Sequence, residues 1–177
     1  MDDFLAPGER FAMTHAPDER TALIEFLDIH RLEFHERCWG LTDEQLRQTT
    51  APSDLTLGAL VKHMALVEHS WFEHRFAGME EREPWASAPW DDDVDWEMTT
   101  AAGDTGTQLF TLFVEACQRS SAIVAGTESL AQLSVRRDHD GKQWNLRWIM
   151  VHMIGEYARH LGHADLIRES IDGVTGP

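Results

Sequence analysis

Three residues, His63, Glu156 and His160, have the types and spacing that chemistry needs. Glu156 and His160 are four apart, so on a helix they stand on neighbouring turns of one face, with β-carbons about 5–6 Å apart. Ile149, Met153, Ala164 and Ile167 recur around them at helical spacing, which puts both polar side chains on an apolar stripe. A carboxylate there costs on the order of several kcal/mol unless it is paired or bound to a cation. His63 lies in another segment, where Leu60, Val67 and Trp71 define a core-facing stripe that includes it. Two imidazoles and one carboxylate from facing helices make an incomplete ligand set for a divalent metal. Positions are left for water or substrate, the pattern of a catalytic rather than a structural site. The plainer alternatives are a hydrogen-bonded core histidine and a glutamate neutralised by Arg or His. His152 and His163 flank the same stripe and are candidate catalytic groups, for proton transfer or for orienting the ligands; ordinary interface histidines are the competing reading. His69 points away from the stripe of His63, and His30, His35 and His74 read as polar-face or flanking residues.

The rest of the composition restricts what such a site can serve. At 177 residues the chain fits a single domain, 1–177, able to bury roughly 70% of the surface its unfolded form exposes. With 42% hydrophobic and 26% charged residues, disorder is excluded as the main state. A formal charge of −16 repels phosphate backbones and anionic lipid, so neither nucleic acid nor a membrane is expected as partner. No apolar run approaches the roughly 20 residues of a membrane helix. Two cysteines, Cys38 and Cys117, are too few for a disulfide framework and read as packing residues; with no leader-like segment, the expected location is cytoplasmic.

Four long amphipathic helices are needed to hold the three residues together. After an irregular arm over 1–17, in which Phe4, Leu5, Phe11 and Met13 are candidates for local packing, the first helix runs from Asp18 to about Trp39. Thr42 and Gln45 form a capping-box pattern for a short connector helix before Pro52. The second long helix spans Thr56 to about Ala77, with Gly78 as its stop. Gly78 to Gly103 reads as a long ordered loop whose Trp85, Trp90 and Trp96 anchor it or close over the site. The third helix covers Gln108 to Ala125, capped by Asp104 or Thr105 and stopped by Gly126, with Leu109, Leu112, Phe113, Ala116 and Ser120 on one face. A candidate strand at Leu133–Arg137 precedes the fourth helix, capped by Asn145 and ending near Ile171. The fold class is therefore all-α, a four-helix bundle with a long crossover loop between its second and third helices.

Four stretches resemble the DinB-like metalloenzyme superfamily. They are Leu57 to Phe72 (LGALVKHMALVEHSWF), Trp90 to Asp93 (WDDD), Leu146 to Glu156 (LRWIMVHMIGE) and Ala158 to Glu169 (ARHLGHADLIRE). The chain looks most similar to the actinobacterial branch, which is similar to the metal-binding domain of mycothiol-dependent maleylpyruvate isomerase and to mycothiol or bacillithiol S-transferases. The resemblance implies a four-helix bundle holding one divalent metal, zinc or nickel. One histidine of the second helix would bind it, matching His63, with a fourth-helix pair matching Glu156 and His160. Many members carry a third histidine where this chain has Glu156; the isomerase group has Glu.

The implied activity is transfer of a low-molecular-weight thiol, of mycothiol type, to an electrophilic small molecule. A metal with two neutral imidazoles and one carboxylate keeps net positive charge and favours a bound thiolate. Two readings from other classes stay open: a metal-dependent hydrolase using bound water, and a non-catalytic metal-binding bundle. A homodimer is compatible with such a bundle, although nothing in one sequence selects its face.

Overall fold

A computed structural model describes residues 14–176. The part of the expected irregular arm at 1–13, with its candidate packing residues, lies outside the described residues. Residues 14–17 are non-helical, and Thr14 donates to the Glu25 carboxylate through its backbone N–H at 3.1 Å and its hydroxyl at 2.5 Å.

The described chain is all-helical, with α1 (Glu19–Cys38), α2 (Asp43–Leu46), α3 (Leu57–Glu68), α4 (Trp96–Thr100), α5 (Gly106–Gly126) and α6 (Leu146–Asp172). The four long helices form the bundle: α1 lies along α6, α3 along α5, and α3 also meets α6. Local chemistry fixes their ends. Asp18 accepts from the N–H of Thr21 at 3.0 Å, Thr56 from Ala59 at 3.1 Å and Asn145 from Trp148 at 2.8 Å. Thr42/Gln45 and Thr105/Gln108 both form reciprocal capping boxes. None of the described helices is long and apolar enough to cross a membrane.

Four expectations need correction. The second long helix is not α-helical throughout, because after Glu68 the backbone widens into a π-helix over His69–Phe76. Positions beyond Glu68 therefore leave the 3.6-residue wheel, and His69 and Glu73 both turn into the core. The helix does stop at Gly78, where φ is +72° and a β-carbon would come within 2.5 Å of the Val135 side chain. Both the left-handed backbone and the close approach select glycine.

The segment read as a strand, Leu133–Arg137, forms only an isolated bridge between Leu133 and Asn145. Its N–H groups are taken elsewhere, Val135 donating to the Phe76 carbonyl at 2.9 Å and Arg136 to the Arg75 carbonyl at 3.1 Å. Those acceptors belong to the end of the π-helix, so no partner strand is needed. Gly126 is the last residue of α5 rather than its stop. Thr127 caps it, its hydroxyl donating to the Ile123 carbonyl at 2.7 Å and its N–H to Val124 at 3.2 Å.

The connection after Gly78 is partly helical, with 3₁₀ turns at Trp85–Ser87 and Ala101–Gly103 around α4. Its tryptophans anchor it: Trp96 packs edge-on against both Trp85 and Trp90, at 6.4 and 5.9 Å between ring centroids. Lys62 Nζ lies 4.6 Å above the Trp96 ring, tying α4 to α3. In the bundle centre, among Leu27, Phe34, Met64, Phe113 and Met153, lies an ion pair that the sequence did not reveal. Arg31 clamps Glu68 with bonds of 2.7 and 2.8 Å, and the Tyr157 hydroxyl donates to the same carboxylate at 2.7 Å.

Candidate metal centre

The three residues singled out by type and spacing converge. His63 comes from α3, and Glu156 and His160 from successive turns of α6. One donor atom from each lies within 4.8 Å of the others. His160 Nε2 is 3.5 Å from Glu156 Oε2, and the rings of His63 and His160 meet edge to face at 4.9 Å. A separation of 3.5 Å is long for a hydrogen bond. It is close to the roughly 3.3 Å between neighbouring donors around a tetrahedral ion with bonds of about 2.0–2.1 Å.

The electrostatics favour the ligand forms. Burial, then the neighbouring His63, pushes the His160 imidazole down to about 4, so the ring is neutral at ordinary pH. The His63 side chain is 22% exposed and that of Glu156 17%, which leaves the group reachable from one side.

A fourth residue orients the set. Glu97, on α4, places Oε1 2.9 Å from His63 Nδ1, and its other oxygen is buried with no hydrogen-bond partner. With Nδ1–H held by the carboxylate, His63 presents Nε2 as the lone-pair donor. Glu97 was missed because its stretch of chain read as loop; the signal that could have found it is the short helical run Trp96–Thr100 beside a tryptophan anchor.

The two flanking histidines separate. His152 Nε2 is 3.6 Å from Glu156 Oε1, and its ring is stacked on Trp148 at 5.0 Å and touches Trp71 at 4.6 Å. Burial lowers its pKa, partly opposed by Glu156. His163 is exposed, its ring 5.5 Å from that of His160 and outside the donor cluster. Of the two arginines nearest in sequence, Arg147 pairs with Glu19, and the exposed Arg159 stands 3.8 Å from Glu156.

Two other histidines depart from the sequence reading. His35, read as polar-face or flanking, is buried, stacked on Trp39 at 5.2 Å with Phe110 edge-on at 5.3 Å. Aromatic neighbours supplied by another helix cannot be seen from the α1 sequence alone. His69 leaves the His63 stripe as expected but enters the core, with Nδ1 3.2 Å from Glu73 Oε1. Both cysteines are fully buried and burial raises their thiols, in keeping with packing roles.

Two imidazole nitrogens and a carboxylate, one imidazole oriented by a second carboxylate, suit a divalent transition metal. No curated protein matches the chain significantly. The mycothiol-S-transferase family profile matches residues 22–173, a span that contains all four long helices but for the first three residues of α1, and every residue of the cluster. By that match, the chain belongs to the mycothiol-S-transferase family.

Proposed function

We propose that the protein is a divalent-metal-dependent S-transferase that joins mycothiol to electrophilic small molecules, with His63, Glu156 and His160 as metal ligands. The observation that carries this reading is the convergence of those three donors within 4.8 Å inside the span matched by the family. Zinc or nickel there would supply Lewis acidity that favours a bound thiolate near neutral pH.

The chain's own groups divide the remaining work. Glu97 holds the Nδ1 proton of His63 and keeps Nε2 free. Trp148 and Trp71 fix the His152 ring, and its burial-lowered pKa leaves it neutral and able to accept the thiol proton. His163, exposed beside His160, stands between the cluster and solvent. With an alkyl halide, a sulfur–carbon bond forms as the carbon–halogen bond breaks. The halide leaves with the bonding electron pair, and the proton passes through His152 to solvent.

The test is to incubate zinc- or nickel-loaded protein with mycothiol and an alkyl halide and follow the thioether by mass spectrometry. Thioether formation that needs both the metal and His63 is expected. Turnover of the halide at the same rate without thiol would point to a hydrolase, and no turnover with any thiol to a binding module.

A further inference from the structure

The chain carries 31 Asp and Glu against 15 Lys and Arg, so a cation without a partner is unexpected. Among the described residues there is one. Every other described Arg or Lys reaches a carboxylate or carbonyl oxygen: Arg20, Arg47 and Arg137 reach carbonyls, and Arg31, Arg37, Lys62, Arg82, Arg119, Arg136, Lys142, Arg147, Arg159 and Arg168 carboxylates. Arg75 has no acceptor among the described residues. Its guanidinium lies 4.3 Å over the Trp71 ring.

The position matters as much as the missing partner. Trp71 contacts His152 at 4.6 Å and Trp148 at 5.4 Å, and His152 stands beside the Glu156 carboxylate. Trp148 is 39% exposed, its ring packed between Trp144 at 4.0 Å and His152 at 5.0 Å. An aromatic wall thus runs from the surface to the candidate ligands, carrying a guanidinium with no acceptor among the described residues. Arg75 and Trp71 both belong to the π-helix, four residues apart and so neighbours on its surface. A guanidinium over an indole face, with no acceptor taken, has N–H groups left for a planar anion such as a carboxylate.

We infer that Arg75, on the Trp71–Trp148 wall, receives a carboxylate of the electrophilic substrate, so the enzyme prefers anionic, flat electrophiles over neutral ones. This rests on the transferase reading above, but the binding of the anion does not require turnover. Glu156, which His152 on this wall approaches at 3.6 Å, is committed to the ligand cluster in that reading and does not compete for Arg75.

The test has a binding arm and a turnover arm. In the first, unreactive 4-methylbenzoate and its neutral counterpart 4-methylbenzamide are titrated into metal-loaded protein, and the indole N–H signals of Trp71 and Trp148 are followed by NMR. The acid should bind about tenfold or more tightly, as one charge-assisted contact requires. Arg75→Gln should erase that preference and Arg75→Lys keep part of it. Equal binding of acid and amide, or a preference that survives Arg75→Gln because the anion sits elsewhere, overturns the inference. In the second arm, the ratio of kcat/KM for 4-(bromomethyl)benzoate to that for its methyl ester should fall about tenfold in Arg75→Gln. An unchanged ratio also overturns it. If neither bromide is turned over while the binding preference persists, the transferase reading fails and the anion site stands.

Discussion

Glu97 Oε1 lies 2.9 Å from His63 Nδ1, so a carboxylate delivered by the crossover connection orients an imidazole on α3. The relationship gives a tryptophan-anchored connection a reason to be ordered. It also means that the site is assembled by three elements, α3, α4 and α6, rather than by two.

The first prediction concerns that contact. Glu97→Gln keeps the volume and one acceptor oxygen but removes the charge that supports the imidazole. Metal affinity should fall roughly 10- to 100-fold, while helix content is unchanged. Competition with a chromophoric chelator measures it. An affinity equal to the parent's would remove Glu97 from the account.

The buried Arg31–Glu68 pair gives a second. Glu68→Leu removes two of the bonds to the buried Arg31 guanidinium, which keeps only Asp28 and Ser121, and takes the acceptor from the Tyr157 hydroxyl; it should cost about 3–5 kcal/mol in urea unfolding. The double variant Arg31→Met, Glu68→Leu should recover part of that loss, because the buried guanidinium is gone and the Asp28 carboxylate it also held reaches solvent. A double variant as unstable as the single one would show that the network contributes more than charge cancellation.

Acid sensitivity follows from His35. Burial lowers its pKa below the ordinary 6.5, so in acid the unfolded chain takes up a proton that the folded chain refuses. Stability from this group is complete above about pH 6.5 and declines as the pH falls below it. His35→Phe, which suits the Trp39, Phe110 and Phe113 surroundings, should make the profile of melting temperature between about pH 5 and 7 less steep, leaving the share of the other buried histidines. A profile as steep as the parent's would assign the sensitivity to other groups.

At Gly78 the backbone prediction is simple. Gly78→Ala meets both a left-handed φ and the Val135 side chain, and should destabilise the protein by roughly 1–2 kcal/mol or more, read as a lowered urea midpoint.

The long helices, their starting caps and the Glu156–His160 pair were legible in the sequence because each depends on local spacing, and His63 was placed by its own helix stripe. Thr42 with Gln45, Asn145 at the start of α6, and Glu156 four residues from His160 need no knowledge of distant chain. What escaped depends on tertiary placement. Glu97 acts only because the crossover brings α4 onto α3, and Glu68 reads as one acid among many until Arg31 and Tyr157 meet it in the core. The π-helix escaped for a different reason: a fixed 100° step cannot register a wider turn, so His69 and Glu73 could not be placed. The extended run at Leu133 resembled a strand because it bonds through its backbone, although to helix ends.

The central claim is that His63, Glu156 and His160 hold one divalent metal. It is tested most directly by elemental analysis of the purified protein beside His63→Ala and Glu156→Ala. The account predicts about one equivalent of zinc or nickel in the parent and a large loss in both variants, with helix content retained. A parent without metal, whose affinity for added zinc or nickel is no better than that of the variants, would contradict it.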